Sequence, residues 1–213
     1  MGLRKRFGLA VALAILAAAA TTRAGAQDVA NGERLYQLCT QCHGGAGEGS
    51  AQSLAPSIAG LPVWYVENQL RGFRAGYRGL HFDDISGMRM RPMALSLAND
   101  AELKDVAAYV ASLPRYDAPP TLAGGDATRG QALYAPCIAC HGPDGNGNQA
   151  LNAPPLVGVN DWYALTQLNH FKAGIRGTKP QDSWGQLMRP MSMTLVDEQA
   201  IRDVIAYITT LAK

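Results

Sequence analysis

The sequence predicts an all-α protein built as two tandem copies of one small domain. Asp28–Leu113 aligns with Asp126–Leu211 at a constant offset of 98 residues without a gap, and 34 of the 86 pairs are identical. They include Asp28/Asp126, Tyr36/Tyr134, Pro56/Pro154, Trp64/Trp162, Gln69/Gln167, Phe73/Phe171, Arg78/Arg176, Met90/Met188 and Tyr109/Tyr207. Repetition of this kind has to be settled before fold is argued. No run alternates apolar and polar residues like a strand, whereas helical periodicity recurs in both halves. The division that follows is 1–26 for a leader, 27–113 for the first domain, 114–125 for a linker and 126–213 for the second domain. The linker carries Pro119-Pro120 and Gly124-Gly125.

All four cysteines lie in two motifs of one form, Cys39-Thr40-Gln41-Cys42-His43 and Cys137-Ile138-Ala139-Cys140-His141. The spacing C-x-x-C-H is the signature of c-type haem attachment. Each thiol adds to a haem vinyl group to give a thioether, and the adjacent His coordinates iron. A zinc ribbon would need two Cys pairs close enough to fold around one metal, and a redox dithiol needs neither His. The expected cofactors are two covalently bound haem c groups. Cys39, Cys42, Cys137 and Cys140 attach them, and His43 and His141 each take one axial position. No cysteine remains for a structural disulfide.

The N-terminus fits an exported protein. Arg4-Lys5-Arg6 precedes a 14-residue apolar run from Phe7 to Ala20, and Ala24-Gly25-Ala26 supplies a cleavage site. The run is short for a membrane span, which needs about 20 residues. Haem of this type is attached outside the cytoplasm, so the expected location is the bacterial periplasm; peripheral association with the membrane is compatible with this. Cleavage after Ala26 removes Arg4, Lys5, Arg6 and Arg23 and no acid, leaving 15 basic against 17 acidic residues. The haem carboxylates make the mature protein more negative still, which argues against nucleic acid as a partner.

The elements of each half follow in order. Asp28 and Asp126 stand where an N-cap would, ahead of a short helix leading into the Cys motif. Glycine-rich loops follow, Gly44–Gly49 and Gly142–Gly147, read as chain reversals at the haem edge. Their G-x-G spacing lacks the preceding strand that a nucleotide fingerprint requires. A middle helix runs from about Val63 to Arg74, with Val63, Val66, Leu70 and Phe73 on one face and Gly76 as its stop. Its partner runs from about Trp162 to Ala173 and stops at Gly174. The last helix is the most regular. Leu103, Val106, Ala107 and Val110 recur at i, i+3, i+4 and i+7, and Ile201, Val204, Ile205 and Ile208 repeat them. Asn99 with Glu102 resembles a capping box. Domains this small often need a staple, and a covalent haem would supply one.

The second axial ligand separates electron transfer from chemistry at iron. His81 and His170 do not align with each other; they face Lys179 and Gly72, and suit surface or local hydrogen-bonding roles. Methionine is the better candidate, because equivalent haems should use equivalent residues. Met88 aligns with Gln186 and Met193 with Leu95, which leaves Met90/Met188 and Met93/Met191. Position alone does not separate these pairs.

Over essentially all of Asp28–Leu211 the chain resembles the two-haem cytochrome c4 family of class I c-type cytochromes. The matching residues are the two C-x-x-C-H motifs, Pro56-Ser57-Ile58-Ala59-Gly60 with its counterpart Pro154–Gly158, and the segments Met90–Leu97 and Met188–Leu195. The resemblance implies two class I domains, each wrapped around one haem. In that family the ligand Met stands seven residues before a Leu or Phe that precedes the last helix, which implies Met90 and Met188 as iron ligands. Met93 and Met191 then fall on a packing position. It also implies that the Pro56 and Pro154 carbonyls accept a hydrogen bond from the ligand histidines. The stretch Arg71–Arg78 and the loop His81–Ile85 are not hallmarks of the family. Arg78 and Arg176 are open between haem carboxylate partners and solvated charges.

The expected function is that of a periplasmic electron carrier rather than an enzyme. It would take electrons from a quinol-oxidising complex or a dehydrogenase and give them to a terminal oxidase or a similar acceptor in a respiratory chain. The alternative is the electron-accepting cytochrome subunit of a periplasmic dehydrogenase such as a flavocytochrome. A dihaem peroxidase fits less well, because it is longer and leaves one haem open, whereas both halves here offer a Met.

Overall fold

The computed structural model describes residues 27–211; the predicted leader and its cleavage site lie outside the described residues. The first half contains α1 (Val29–Tyr36), α2 (Thr40–His43), α3 (Val63–Ala75), α4 (Ile85–Leu95) and α5 (Asp100–Ser112). The second contains α6 (Ala127–Tyr134), α7 (Ile138–His141), α8 (Asp161–Lys172), α9 (Ser183–Met193) and α10 (Glu198–Leu211), with 3₁₀ turns at Ala135–Cys137 and Gln149–Leu151. Extended pairing among the described residues is limited to the isolated bridges Ser50–Ala55 and Asn148–Ala153. The all-α reading therefore holds.

In each half the first and last helices cross at a glycine. A Cβ on Gly32 would overlap the Asp105 backbone carbonyl, and one on Gly130 would overlap that of Asp203. The absent side chain lets α1 meet α5 and α6 meet α10 backbone to backbone. The same aspartates tie the crossing together. Asp105 accepts from the Asp28 N–H and from Asn31 Nδ2, both at 2.8 Å. Asp203 accepts from the Asp126 N–H at 2.8 Å and pairs with Arg129. The expected caps form: Asp28 accepts from the Asn31 N–H, Asp126 from those of Thr128 and Arg129, and Asn99 from that of Glu102. Glu102 reaches back to the Ala98 N–H.

Tyr36 and Tyr134 are fully buried under these crossings, stacked at a tilt on Tyr109 and Tyr207. Their hydroxyls donate to the Gly44 and Gly142 carbonyls, at 2.9 and 2.8 Å. That fixes the residue directly after each Cys-x-x-Cys-His motif. Around Tyr36 the core gathers Val66, Leu70 and Phe73 from α3 and Leu103, Val106 and Val110 from α5. Around Tyr134 it gathers Leu195 and, from α10, Ile201, Val204, Ile205 and Ile208.

Two departures from the predicted elements are instructive. The middle helices run over Val63–Ala75 and Asp161–Lys172, so the second begins and ends one residue earlier than its periodicity suggested. The helices that carry the methionines, α4 and α9, were not anticipated as helices. Each holds an internal proline, Pro92 or Pro190, which removes one helical hydrogen bond. They are started by buried aspartates: Asp84 accepts from the Gly87 N–H and Asp182 from that of Gly185, both at 3.0 Å.

Candidate functional site

Each attachment motif ends a one-turn helix whose last residue is buried; His43 is 5% exposed and His141 6%. The loop after it folds back sharply. At Gly49 (φ 80°) a Cβ would press on the Pro56 backbone, and at Gly147 (φ 78°) on that of Pro154. This return brings the Pro56 carbonyl to 2.8 Å from His43 Nδ1, and the Pro154 carbonyl to 2.8 Å from His141 Nδ1. A carbonyl only accepts, so Nδ1 must carry the proton, which leaves the Nε2 lone pair available to a metal. Burial lowers both histidine pKa values, and the hydrogen bonds to Pro56 and Pro154 only partly oppose it. The rings are therefore neutral, the form that ligates iron.

In the first half, His43 opens onto a cavity lined by Ile58, Leu61, Val66, Leu70 and Phe73, with Met90 among its walls. Met93 does not line it. In the second half, Met188 and Met191 are both half-buried. Cys39 and Cys137 are half-buried, and Cys42 and Cys140 are exposed. Burial, and then the neighbouring Cys42, pushes the Cys39 thiol up to about 11. A redox dithiol needs the opposite, a thiol lowered to favour thiolate. Among the described residues no three of the His, Cys, Asp and Glu side chains gather to hold an ion, so a zinc ribbon finds no ligand set. A haem iron needs only two protein ligands, because its ring supplies the rest.

The histidines outside the motifs lie away from this cavity. His81 is at the surface, stacked on Phe82. His170 lies between the halves, its Nδ1 3.7 Å from the buried Asp84 carboxylate.

The sequence left Arg78 and Arg176 open between two roles, and the structure removes the solvated one. They are 6% and 8% exposed and meet where the halves join. Arg78 donates to Gln69 Oε1 at 2.5 Å, and across the junction to Tyr163 Oη and Gln167 Oε1 at 3.4 Å. Arg176 donates to Gln167 Oε1 at 2.6 Å. Their planes lie over Phe73 and Phe171. Both Nε atoms are buried without a partner, and neither guanidinium is bonded to a carboxylate. Burial, and then the Arg78 charge, pushes the Arg176 pKa down. Two buried cations with unused donors call for an anion. Arg78 lies on the wall of the cavity that His43 opens onto. An apolar slot with a neutral His, a Met and a cationic end fits haem, which is flat, apolar and carries two carboxylates.

The family model described as Cytochrome c matches residues 29–114 and 127–212, one copy on each half. The cytochrome c4 of Azotobacter vinelandii is 30% identical over 197 residues, 86% of this chain and 89% of that protein. The chain belongs to the dihaem cytochrome c4 family. The reduced recombinant cytochrome c4 of Pseudomonas stutzeri superposes with a TM-score of 0.67 at 27% identity, over 86% of this chain and 98% of that one. A protein of Stutzerimonas stutzeri named as a thiosulfate dehydrogenase electron acceptor is 33% identical over 182 residues, 76% of this chain and 80% of that protein. As a c4 cytochrome the chain carries two covalently bound haem c groups, and proteins of this family transfer electrons between redox partners. Among the described residues no helix is long and apolar enough to cross a membrane.

Proposed function

We propose that this chain is a periplasmic dihaem electron carrier with His/Met ligation at both irons. It takes electrons from a quinol-oxidising complex or dehydrogenase and delivers them to a terminal oxidase or similar acceptor. The observation that carries this is the shared cavity of His43 and Met90, with the neutral imidazole pinned by Pro56. Haem c supplies a one-electron ferric/ferrous couple when bound. The residues around it hold, orient and insulate. Cys39 and Cys42 anchor it in domain 1 (27–113), and Cys137 and Cys140 in domain 2 (126–213), with 114–125 as the linker. His43 and His141 would bind iron through Nε2, and Met90 and Met188 would supply its second protein ligands. The repeat gives Met188 the place of Met90, which leaves Met93 and Met191 to packing. Arg78 and Arg176 offset the haem carboxylates, and Ile58, Leu61, Val66, Leu70 and Phe73 keep water out.

His/Met ligation favours a high reduction potential and leaves iron no free position, so the chain itself catalyses no reaction. A second reading is supported by the relative named as a thiosulfate dehydrogenase electron acceptor: the donor here would be a periplasmic dehydrogenase, with this chain as its cytochrome partner. A spectroscopic redox titration tests the common core of both. Two one-electron components are expected, with fast exchange to a small redox protein. A single component of one-haem amplitude would contradict it.

A further inference from the structure

Behind the two axial histidines the halves differ in one peptide bond. In the first half, the peptide joining Pro56 to Ser57 is hydrogen-bonded at both ends. Its carbonyl meets His43 Nδ1 at 2.8 Å, and its N–H donates to Asn160 Oδ1 at 2.6 Å. Asn160 belongs to the other half. It stands at the N-cap of α8, yet its side chain makes no bond to that helix. An N-cap asparagine ordinarily serves its own first turn; this one is turned outward to the neighbouring domain. Only the amide oxygen can meet an N–H, so the contact also fixes how the Asn160 amide is oriented.

The second half has no such arrangement. The residue after Pro154 is Pro155, whose nitrogen carries no hydrogen. The residue that matches Asn160 in the first half is Pro62, which has no side-chain acceptor. The repeat keeps the His–Pro bond on both sides and supplies the further link on one side only.

We propose that Asn160 is a positioning residue for the first haem, acting on its axial His43 through the Pro56–Ser57 peptide. The relay runs His43 Nδ1–H to Pro56 C=O, then Ser57 N–H to Asn160 Oδ1. Hydrogen bonds in series polarise one another. Drawing on the Ser57 N–H pushes electron density onto the Pro56 oxygen, which then accepts more strongly from His43. A stronger acceptor at Nδ1–H makes the imidazole a better donor at Nε2. A better axial donor stabilises ferric over ferrous iron, so the relay lowers the potential of the first haem and leaves the second untouched. Domain 2 thereby tunes domain 1, without the reverse. The proposal rests on His43 being a haem ligand.

The test uses the full dihaem protein and two substitutions. Asn160→Leu removes the acceptor; Asn160→Asp replaces it with a stronger, charged one. Potentials are read by titration, with each haem identified by the NMR shifts of its ring methyls, and exchange of the Ser57 amide reports the contact itself. Asn160→Leu should speed that exchange and shift the first haem toward ferrous roughly three- to tenfold, somewhat below the ten- to hundredfold typical of losing a group that supports a metal ligand. Asn160→Asp should shift the same haem toward ferric. The second haem should move less in both. Opposite signs, with Ser57 exchange slowed in Asn160→Asp and speeded in Asn160→Leu, are the deciding result, because the Asp charge acting through space alone would lower the potential without protecting the Ser57 amide. Shifts of one sign, or no shift while Ser57 exchange speeds up, would overturn the proposal. If His43 were not a ligand at all, the unsubstituted protein would already lack one His-ligated haem spectrum, which separates that failure from failure of the relay.

Discussion

The first and second halves build the same proximal frame and then surround it differently. Both place a buried His 2.8 Å from a proline carbonyl, seat a buried Tyr against the next glycine, and start the Met-bearing helix on a buried Asp. The wall of the first cavity, however, includes Pro155, Val157, Val159 and Tyr163 of the second half and Arg115 and Tyr116 of the linker. The second half has a duty of its own. Asp161 accepts from the Thr121 hydroxyl and from the Thr121 and Leu122 N–H groups, which ties down the linker. Its first-half counterpart is Val63. The attachment cysteines, the histidines, the proline carbonyls and the methionines repeat without change, and so do Arg78/Arg176 and Gln69/Gln167 at the junction; Ser57/Pro155, Pro62/Asn160 and Val63/Asp161 do not. Two sites with the same ligands can therefore differ in potential because of their neighbours alone, and about 59 mV already biases a one-electron transfer tenfold.

The largest effect should come from removing one attachment. Under denaturing conditions the mature chain should carry two haems, and the double substitution Cys39→Ser with Cys42→Ser should carry one. The second half in that variant should keep its own spectrum, while helical content falls because the first core has lost its haem. If both haems vanish together, the halves do not load independently.

Next in size are the methionines proposed as ligands. Met90→Ala should abolish the thioether–iron charge-transfer band of one haem, and Met188→Ala that of the other. Met93→Ala and Met191→Ala should cost stability and keep both bands. Loss of a band in either of the latter two would move the ligand by one helical turn.

The smallest effect is confined to the linker. Asp161→Val, which copies the first half, should destabilise the protein by about 1.5–3 kcal/mol through loss of hydrogen bonds to a charged acceptor. Burial pushes the Asp161 carboxyl up, but hydrogen bonds from Leu122, Thr121 and Trp162 outweigh it and hold it below the usual carboxylate range. A depressed carboxyl stabilises the fold at neutral pH and loses that effect as pH falls from about 4 through the folded value. The variant should therefore unfold earlier in denaturant at pH 7 and converge on the parent in acid. An unchanged gap at low pH would mean that packing, not the charge, is responsible.

Much of this was legible in the sequence, for identifiable reasons. The attachment motifs and the offset of 98 residues are exact local signals. The capping residues Asp28, Asn99 and Asp126 act over a few residues, so their bonds follow from spacing. Helices α4 and α9 were not anticipated; each holds an internal proline, Pro92 or Pro190, and is started by a buried Asp. The burial of Arg78 and Arg176 depends on how the halves dock, which no local pattern encodes. The Asn160–Ser57 contact spans 103 residues. Ser57 against Pro155 and Asn160 against Pro62 are visible differences between the copies, but they lie among several others in the same stretch, so the sequence alone did not single them out.

The central claim is that both irons are closed by a protein ligand on each side. Reaction of the fully reduced protein with carbon monoxide tests it most directly, because the gas needs a vacant position on iron. Slow, incomplete binding at both haems is the predicted result. Rapid binding at either one would contradict the account.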